Sequence, residues 1–444
     1  MKIYLIAGEP SGDMLGARLM HALKELAPEA EFAGVGGENM KEEGLKSLFD
    51  ISDLAVMGLA EVIPSIPKVL RRIRETVADI AAQKPDIVVT IDSWSFSSRV
   101  HKALRRQKIK VPQMHYVAPQ VWAWKKGRAK TMYKYVDRLL TLFPNEPAYF
   151  IPHHLPDFVG HPVIENTVPE TAAEEFCRKS GISPDKRIVL ILPGSRHNEV
   201  SRLLPVFLEA AALLRQKYAD LQFVLPTVKT VEQQVRRMVA ENGADDVMIV
   251  AGREERNGAR AAASAAMAAS GTVSLELAIM KIPHIIAYKV APLTAWLARH
   301  LLKIRSVNLP NILMNDSTVP ELLQEACTPE NVAGEVAKFL DTENAAPRTQ
   351  FQNKMEELRR LMGAGKINPS RRAAEIVLRE INGANASSAA LDASITPISA
   401  ASDASTTPIS AGSDTSAAPH KIPEPAARVA PERLSAPAPR TPEA

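Results

Sequence analysis

Cysteine is nearly missing. Cys177 and Cys327 are the only two in 444 residues, too few for a disulfide framework or a cysteine-based metal site. A reducing compartment is the simpler setting. No run of roughly eighteen apolar residues occurs, so no segment reads as spanning a bilayer. The opening MKIYLIAGEPSGD has only a short apolar stretch before polar residues, which suits a first strand and not a signal peptide. Charge of one sign is also lacking, with 54 Lys and Arg against 50 Asp and Glu. Nucleic acid is therefore not implied, while an anionic small molecule or membrane surface is compatible. Several catalytic signatures are absent: no D-x-D pair for a metal-bound nucleotide sugar, no H-E-x-x-H, no Walker loop and no G-x-S-x-G elbow. Gly8, Gly12 and Gly16 do not match the G-x-G-x-x-G spacing of dinucleotide binders, which weighs against NAD. No cofactor and no metal is expected.

What is present is organised around IVLILPGSRHNEV, residues 188–200. Its short β-branched run reads as a strand buried in a parallel sheet. The run ends at Pro193-Gly194-Ser195-Arg196, and a helical pattern follows. That turn puts backbone N–H groups and a guanidinium at a sheet's carboxyl edge, where open α/β sheets bind ligands and helix N-termini favour anions. An ordinary turn with a surface arginine is the plainer alternative. The same strand–turn–helix alternation recurs along the chain, beginning with Ile3–Ala7 and a helix over 14–26. Further strands are read at 32–37, 86–90, 113–117 and 138–143, then at 188–192, 221–225, 247–250, 265–268 and 283–288. The chain is too long for one ordinary core. The fold class expected is α/β with two Rossmann-like halves, 1–165 and 166–382, joined through a Pro-, His- and Glu-containing linker. Packing of the last helix, from Pro369, back onto the first half is compatible with this scheme. From 383 to 444 the Ala, Ser, Thr and Pro composition predicts a disordered tail.

Candidate site residues sit at strand ends. In the loop Gly8-Glu9-Pro10-Ser11-Gly12-Asp13, Glu9 and Asp13 could accept hydrogen bonds from sugar hydroxyls, or Ser11 or Asp13 could cap a helix. Asp92 ends a buried strand, the best place for a catalytic carboxylate in this architecture; capping the next helix is its alternative. Trp122 and Trp124 beside a basic run suit phosphate and an amphipathic ligand. Ser270-Gly271-Thr272 forms a second anion cradle, with Glu276 placed for a sugar diol or for the helix dipole. Asn311 has an amide that could read a ligand. Val56, Met57, Leu59 and Val62 lie beside a helix carrying Arg71 and Arg72, a pairing that suits an anionic membrane surface or a core loop beside a solvated face. Ser195 has no sequence cue for a His–Asp partner, so nucleophilic hydrolysis is not expected. Two Rossmann-like halves, anion cradles and no metal motif suggest a two-domain glycosyltransferase whose leaving diphosphate is stabilised by Arg and helix dipoles.

These residues resemble the lipid-A-disaccharide synthase family. The motifs are GEPSGD at 8–13, AVMG at 55–58, Ile91-Asp92, YVAPQVWAW at 116–124, GHP at 160–162, LPGSR at 192–196, SGT with Leu275-Glu276, and LPN at 309–311. They run in family order to about Ile381, and the tail lies outside them. One departure is clear: Ser93-Trp94-Ser95-Phe96 stands where the family usually has Ala-Pro-Asp-Phe, so a second carboxylate is missing. The resemblance implies a GT-B fold and an inverting transfer from UDP-2,3-diacylglucosamine to 2,3-diacylglucosamine 1-phosphate, giving a β-1,6 disaccharide 1-phosphate and UDP. It makes Asp92 the general base. Gly194, Ser195, Arg196 and Ser270–Thr272 become the diphosphate site, Glu276 the ribose contact and Asn311 another donor contact. Glu9, Ser11, Asp13, Trp122 and Trp124 fall on the acceptor side. It also implies a cytoplasmic location at the inner face of the inner membrane and leaves a homodimer open. A UDP-GlcNAc 2-epimerase and a non-enzymatic UDP-sugar-binding protein are the competing readings.

Overall fold

The structure, a computed structural model, describes residues 1–54, 59–119, 129–150, 156–166, 169, 171–290 and 306–393. Val56, Met57, Trp122 and Trp124 lie outside the described residues.

The first sheet contains β1 (Lys2–Ala7), β2 (Glu31–Val35), β3 (Ile87–Ile91), β4 (Gln113–Tyr116), β5 (Arg138–Thr141) and β6 (Pro156–Phe158). The second contains β7 (Arg187–Leu192), β8 (Leu221–Pro226), β9 (Met248–Val250), β10 (Ala263–Ala269), β11 (His284–Tyr288) and β12 (Glu321–Leu323). The spatial orders are β2-β1-β3-β4-β5-β6 and β12-β11-β10-β7-β8-β9, and every pairing is parallel. Both sheets belong to one compact unit, Met1–Leu391.

Parallel strands need crossovers, and helices supply them: α1 (Pro10–Leu26), α2 (Glu38–Glu42), α3 (Leu59–Gln83), α4 (Trp94–Arg106), α5 (Ala129–Met132), α6 (Ala172–Ser180), α7 (His197–Lys217), α8 (Glu232–Glu241), α9 (Arg253–Ala261) and α10 (Thr272–Ile279). Covered faces on both sides explain the apolar run IVLIL and the nearly apolar IVVTI, whose one polar residue, Thr90, is buried. Alternate residues of β1 serve opposite layers. Ile3 and Leu5 meet Leu15, Leu19 and Leu23 of α1, while Tyr4 and Ile6 meet Ile73, Val77 and Ile80 of α3 and Val100 and Leu104 of α4. Each such aliphatic side chain contributes roughly 1.5–3 kcal/mol by leaving water. The alanine-rich β10 has little strand propensity. Its place between β7 and β11 decides its conformation.

Four local features depart from what the residue pattern alone suggests. Helix α3 begins at Leu59 and runs through Pro64 and Pro67, where the prolines alone suggest a later start. Leu309-Pro310-Asn311 opens a helix, Leu309–Met314, with Pro310 in its first turn, where a fixed φ and missing N–H cost nothing. The closing helix, Pro369–Ala393, continues past Gly383, and its alanines favour that continuation. Finally, β6 and β12 are three-residue edge strands, too short for a periodic signal.

Strand order locates the binding crevices. In the first sheet the chain leaves β1 toward β2 on one side and continues from β3 on the other, so the order reverses between β1 and β3. In the second sheet it reverses between β7 and β10. Loops that diverge at such a point leave an open crevice at the carboxyl ends of the strands. Gly8–Asp13 and Asp92–Ser93 flank the first crevice; Pro193–Arg196 and Ser270–Thr272 flank the second.

Candidate active site

At the first crevice Asp92 follows β3 directly. Its N–H donates to the Tyr116 carbonyl at 2.9 Å, and its own carbonyl accepts from Ser97 Oγ at 2.9 Å. Asp92 and Ser93 both have left-handed backbone, φ 55° and 46°, so the chain turns sharply and the carboxylate points off the sheet. Asp92 Oδ1 accepts from the Ser93 N–H at 2.8 Å, and Oδ2 accepts from Ser11 Oγ at 3.2 Å. Burial pushes the Asp92 carboxyl above its ordinary range, against these two donors. A base with a raised pKa is a better proton acceptor near neutrality.

Glu9 caps the start of α1 by position, but its side chain makes no capping bond. It accepts instead from Ser93 Oγ at 3.2 Å. Burial raises the Glu9 carboxyl, and the Asp92 charge raises it further; Ser93 and Arg196 pull it down. Gly8 is required here for space, because a Cβ on it would sit 2.7 Å from Ser93 Oγ. Ser11 spends its hydroxyl on Asp92, so neither Glu9 nor Ser11 caps the helix.

Asp13 takes a different place from the expected sugar contact. It is 2% exposed and accepts from the N–H of Gly37 at 2.7 Å, of Asn39 at 2.9 Å and of Met40 at 3.1 Å, and from Asn39 Nδ2 at 2.9 Å. Its carboxylate is consumed in starting α2 and locking the turn after β2.

At the second crevice Arg196 is the N-cap residue of α7. Its Nη1 donates to Glu199 Oε1 at 2.7 Å, and Glu199 Oε2 accepts from the Ser195 N–H at 3.2 Å. Gly194 has φ 112°, and a Cβ there would collide with the Glu199 carboxylate; only glycine fits. Tyr288, at the end of β11, faces the same turn. Burial raises its phenol, with the charges of Glu199 raising it and of Arg196 and Arg202 lowering it. Across the crevice Gly271 caps α10, and a Cβ on it would meet nothing within 4 Å. The first-turn N–H groups of α10 point outward by the geometry of a helix start. Ser270 Oγ donates to the Val307 carbonyl at 2.9 Å, which fixes the cradle from behind. Glu276, one turn into α10, pairs with Arg260 Nη2 at 3.3 Å.

Two further expected contacts are engaged inside the protein. Asn311 is 3% exposed; its Nδ2 donates to the Val319 carbonyl at 2.8 Å and Glu321 Oε1 at 2.9 Å, and its Oδ1 accepts from the Val319 N–H at 3.0 Å. It ties its helix to the edge strand and has no amide group left to read a ligand. Arg72, expected at a membrane, donates to Asp53 Oδ2 through Nε at 2.9 Å and to Glu75 Oε2 at 2.6 Å, and its guanidinium lies 4.6 Å from the Phe49 ring centroid. Arg71 on the same helix is exposed. Ser93 and Arg260 join the site without a sequence motif of their own. The only signal for Ser93 was that it breaks the family pattern, and for Arg260 the Arg256–Arg260 spacing of one helical turn.

Comparison with known proteins matches the family model described as lipid-A-disaccharide synthetase over residues 3–377. The chain belongs to the lipid-A-disaccharide synthase family. It is 48% identical over 382 residues to the lipid-A-disaccharide synthase of Paramagnetospirillum magneticum, covering 85% of this chain and 97% of that one. It is 46% identical to that of Rhodospirillum centenum, covering 85% and 94%. Membership makes the chain a glycosyltransferase of lipid A and leaves the epimerase and non-enzymatic readings without support. Among solved structures, UDP-GlcNAc 2-epimerase from Neisseria meningitidis bound to UDP-GlcNAc overlays with a TM-score of 0.60 at 14% identity, covering 85% of this chain and 100% of that chain. So distant a likeness carries the fold alone, and the fold is GT-B. Among the described residues no helix is long and apolar enough to cross a membrane.

Proposed function

We propose that this lipid-A-disaccharide synthase family member transfers the sugar of UDP-2,3-diacylglucosamine to the 6-hydroxyl of 2,3-diacylglucosamine 1-phosphate with inversion, yielding the β-1,6 disaccharide 1-phosphate and UDP. One observation carries the reading: the match to the lipid-A-disaccharide synthetase family model runs over residues 3–377 and so takes in both strand-order reversals, with Asp92 at the first and Arg196 at the second; the Arg196 charge, which lowers the Glu9 carboxyl, supports placing the two on one site.

In this mechanism Asp92 removes the proton from the acceptor 6-hydroxyl as that oxygen attacks the anomeric carbon from the face opposite UDP. Ser11 and the Ser93 N–H hold the carboxylate in place. The departing diphosphate gathers negative charge at Arg196 and at the α10 N-terminus formed by Ser270, Gly271 and Thr272, with Gly194 and Ser195 shaping the facing turn. Fixed donors of this kind each supply on the order of 3 kcal/mol to a transition state. Glu276 accepts hydrogen bonds from the ribose diol, and Arg260 orients it. The domain division is 1–165 for acceptor and membrane and 166–382 for donor, with the closing helix running on to Ala393 ahead of the Ala-, Ser-, Thr- and Pro-rich tail.

Both substrates carry acyl chains, which favours a site close to a lipid surface. Helix α3 supports that placement: Ile66 and Leu70 are 46% and 42% exposed, one turn apart, with Lys68, Arg71 and Arg74 also exposed. Apolar burial with basic side chains beside it suits an anionic leaflet, here the cytoplasmic face of the inner membrane.

The test is to incubate the full chain with the two acylated substrates and determine products by NMR and nucleotide analysis. A β-1,6 disaccharide with one UDP per linkage is expected. An α linkage, or UDP release without disaccharide, would overturn the reading.

A further inference from the structure

The acceptor in the proposed reaction is acylated at positions 2 and 3 and phosphorylated at position 1. Its ring oxygen occupies position 5, so only the 4- and 6-hydroxyls remain free. An enzyme making one linkage must tell these two apart, and both are good hydrogen-bond donors. The first crevice offers two half-buried carboxylates, Asp92 and Glu9, on separate loops that meet at the point of strand-order reversal. One residue spaces them. Ser93 donates its N–H to Asp92 at 2.8 Å and its Oγ–H to Glu9 at 3.2 Å. Like charges this close repel, and Ser93 holds each with a separate donor. Ser93 itself has little freedom, because its Oγ fills the space where a Cβ on Gly8 would stand. Asp13, the other carboxylate of the loop, is fully engaged with α2.

We propose that Glu9 holds the acceptor 4-hydroxyl while Asp92 takes the proton of the 6-hydroxyl, and that Ser93 is the residue positioning Glu9 for this choice. The inference rests on the transferase reading above and adds the contact that selects the attacking oxygen. Glu9 is a substrate-binding residue in this account; Ser93 acts through it.

The experiment compares kcat/KM for 2,3-diacylglucosamine 1-phosphate and for its 4-deoxy analogue in the full-length protein and in Glu9→Gln and Ser93→Ala. A hydrogen bond to a charged group is worth about 1.5–3 kcal/mol, so the unsubstituted protein should use the 4-deoxy acceptor roughly 10- to 100-fold less well. Glu9→Gln should lose most of this preference, and Ser93→Ala part of it. A merely structural role for Ser93 would lower thermal stability and leave the preference intact. Equal use of both acceptors by the unsubstituted protein, a measurement independent of any variant's folding, overturns the inference while leaving the transferase reading standing. Full preference retained in folded Glu9→Gln also overturns it. Absence of disaccharide from the natural acceptor overturns the transferase reading and this inference with it.

Discussion

Glu9 stands at the end of a strand in the first sheet and Arg196 at the end of one in the second, and the guanidinium of Arg196 lowers a carboxyl that burial and Asp92 together raise. The relationship ties the two halves of the site together electrostatically. A diphosphate bound at Arg196 would neutralise that cation and let the acid side hold its protons more tightly. On the proposed reaction, donor occupancy and the protonation of Glu9 are then expected to be coupled.

The turn carrying Arg196 should be sensitive to a single methyl group. Gly194→Ala introduces a Cβ into the Glu199 carboxylate at φ 112°, breaking the Glu199 contacts that hold Ser195 N–H and Arg196. Donor kcat/KM should fall at least tenfold with little change in acceptor KM. Arg196→Ala should do the same with a larger loss, and steady-state kinetics with UDP-donor varied checks both.

Asp13 should behave as a structural residue. Asp13→Ala leaves three backbone N–H groups and one amide without their acceptor, and each buried unsatisfied donor costs about 1–3 kcal/mol. Calorimetry should show a fall in Tm of several degrees. Asp13→Asn, which keeps one acceptor oxygen, should recover part of it.

Glu146 sets a pH dependence of stability. It is 2% exposed, and burial raises its carboxyl to about 7, over the opposing N–H donors of Phe143 and Leu142. The folded state thus keeps a proton that the unfolded chain releases at lower pH. Its contribution is fully present below the ordinary glutamate range and is lost as pH rises toward 7, by at most about 1.4 kcal/mol per pH unit. Denaturant titrations from pH 5 to 7.5 should show the unsubstituted protein losing stability relative to Glu146→Gln as pH rises.

Helix α3 should report the lipid contact. The double substitution Ile66→Ser and Leu70→Ser removes two exposed apolar side chains without touching the buried Ile73, Val77 and Ile80. Co-sedimentation with vesicles containing anionic lipid should drop severalfold while Tm stays within a few degrees. Unchanged co-sedimentation would assign those side chains to ordinary surface.

Much of this architecture is legible in the sequence because the strands are continuous and apolar. IVVTI and IVLIL can hardly be anything but buried strands, and Asp92 and the turn at Pro193 follow directly. Side chains committed to distant partners are not legible. Asp13 binds the turn at 37–40, Asn311 binds Val319, and Arg72 binds Asp53. In each case the sequence shows a polar residue near a ligand-binding edge, and only the fold supplies the partner that consumes it. Ser93 is the converse. It looks like the loss of a family feature, yet its two donors join the two carboxylates of the crevice. The strand read at 265–268 is there as β10 (Ala263–Ala269) despite its alanines, whereas the start of α3 ahead of two prolines is not legible because tertiary placement overrides local preference.

The central claim is that Asp92 accepts the proton of the attacking sugar hydroxyl, and turnover of Asp92→Asn across pH tests it most directly. The account predicts kcat lowered by roughly 10²–10⁴, an unchanged fold by circular dichroism, and loss in the variant of an acidic limb that lies above the usual aspartate range in the unsubstituted protein. Turnover within a few-fold of the unsubstituted protein, with the acidic limb intact, would contradict it.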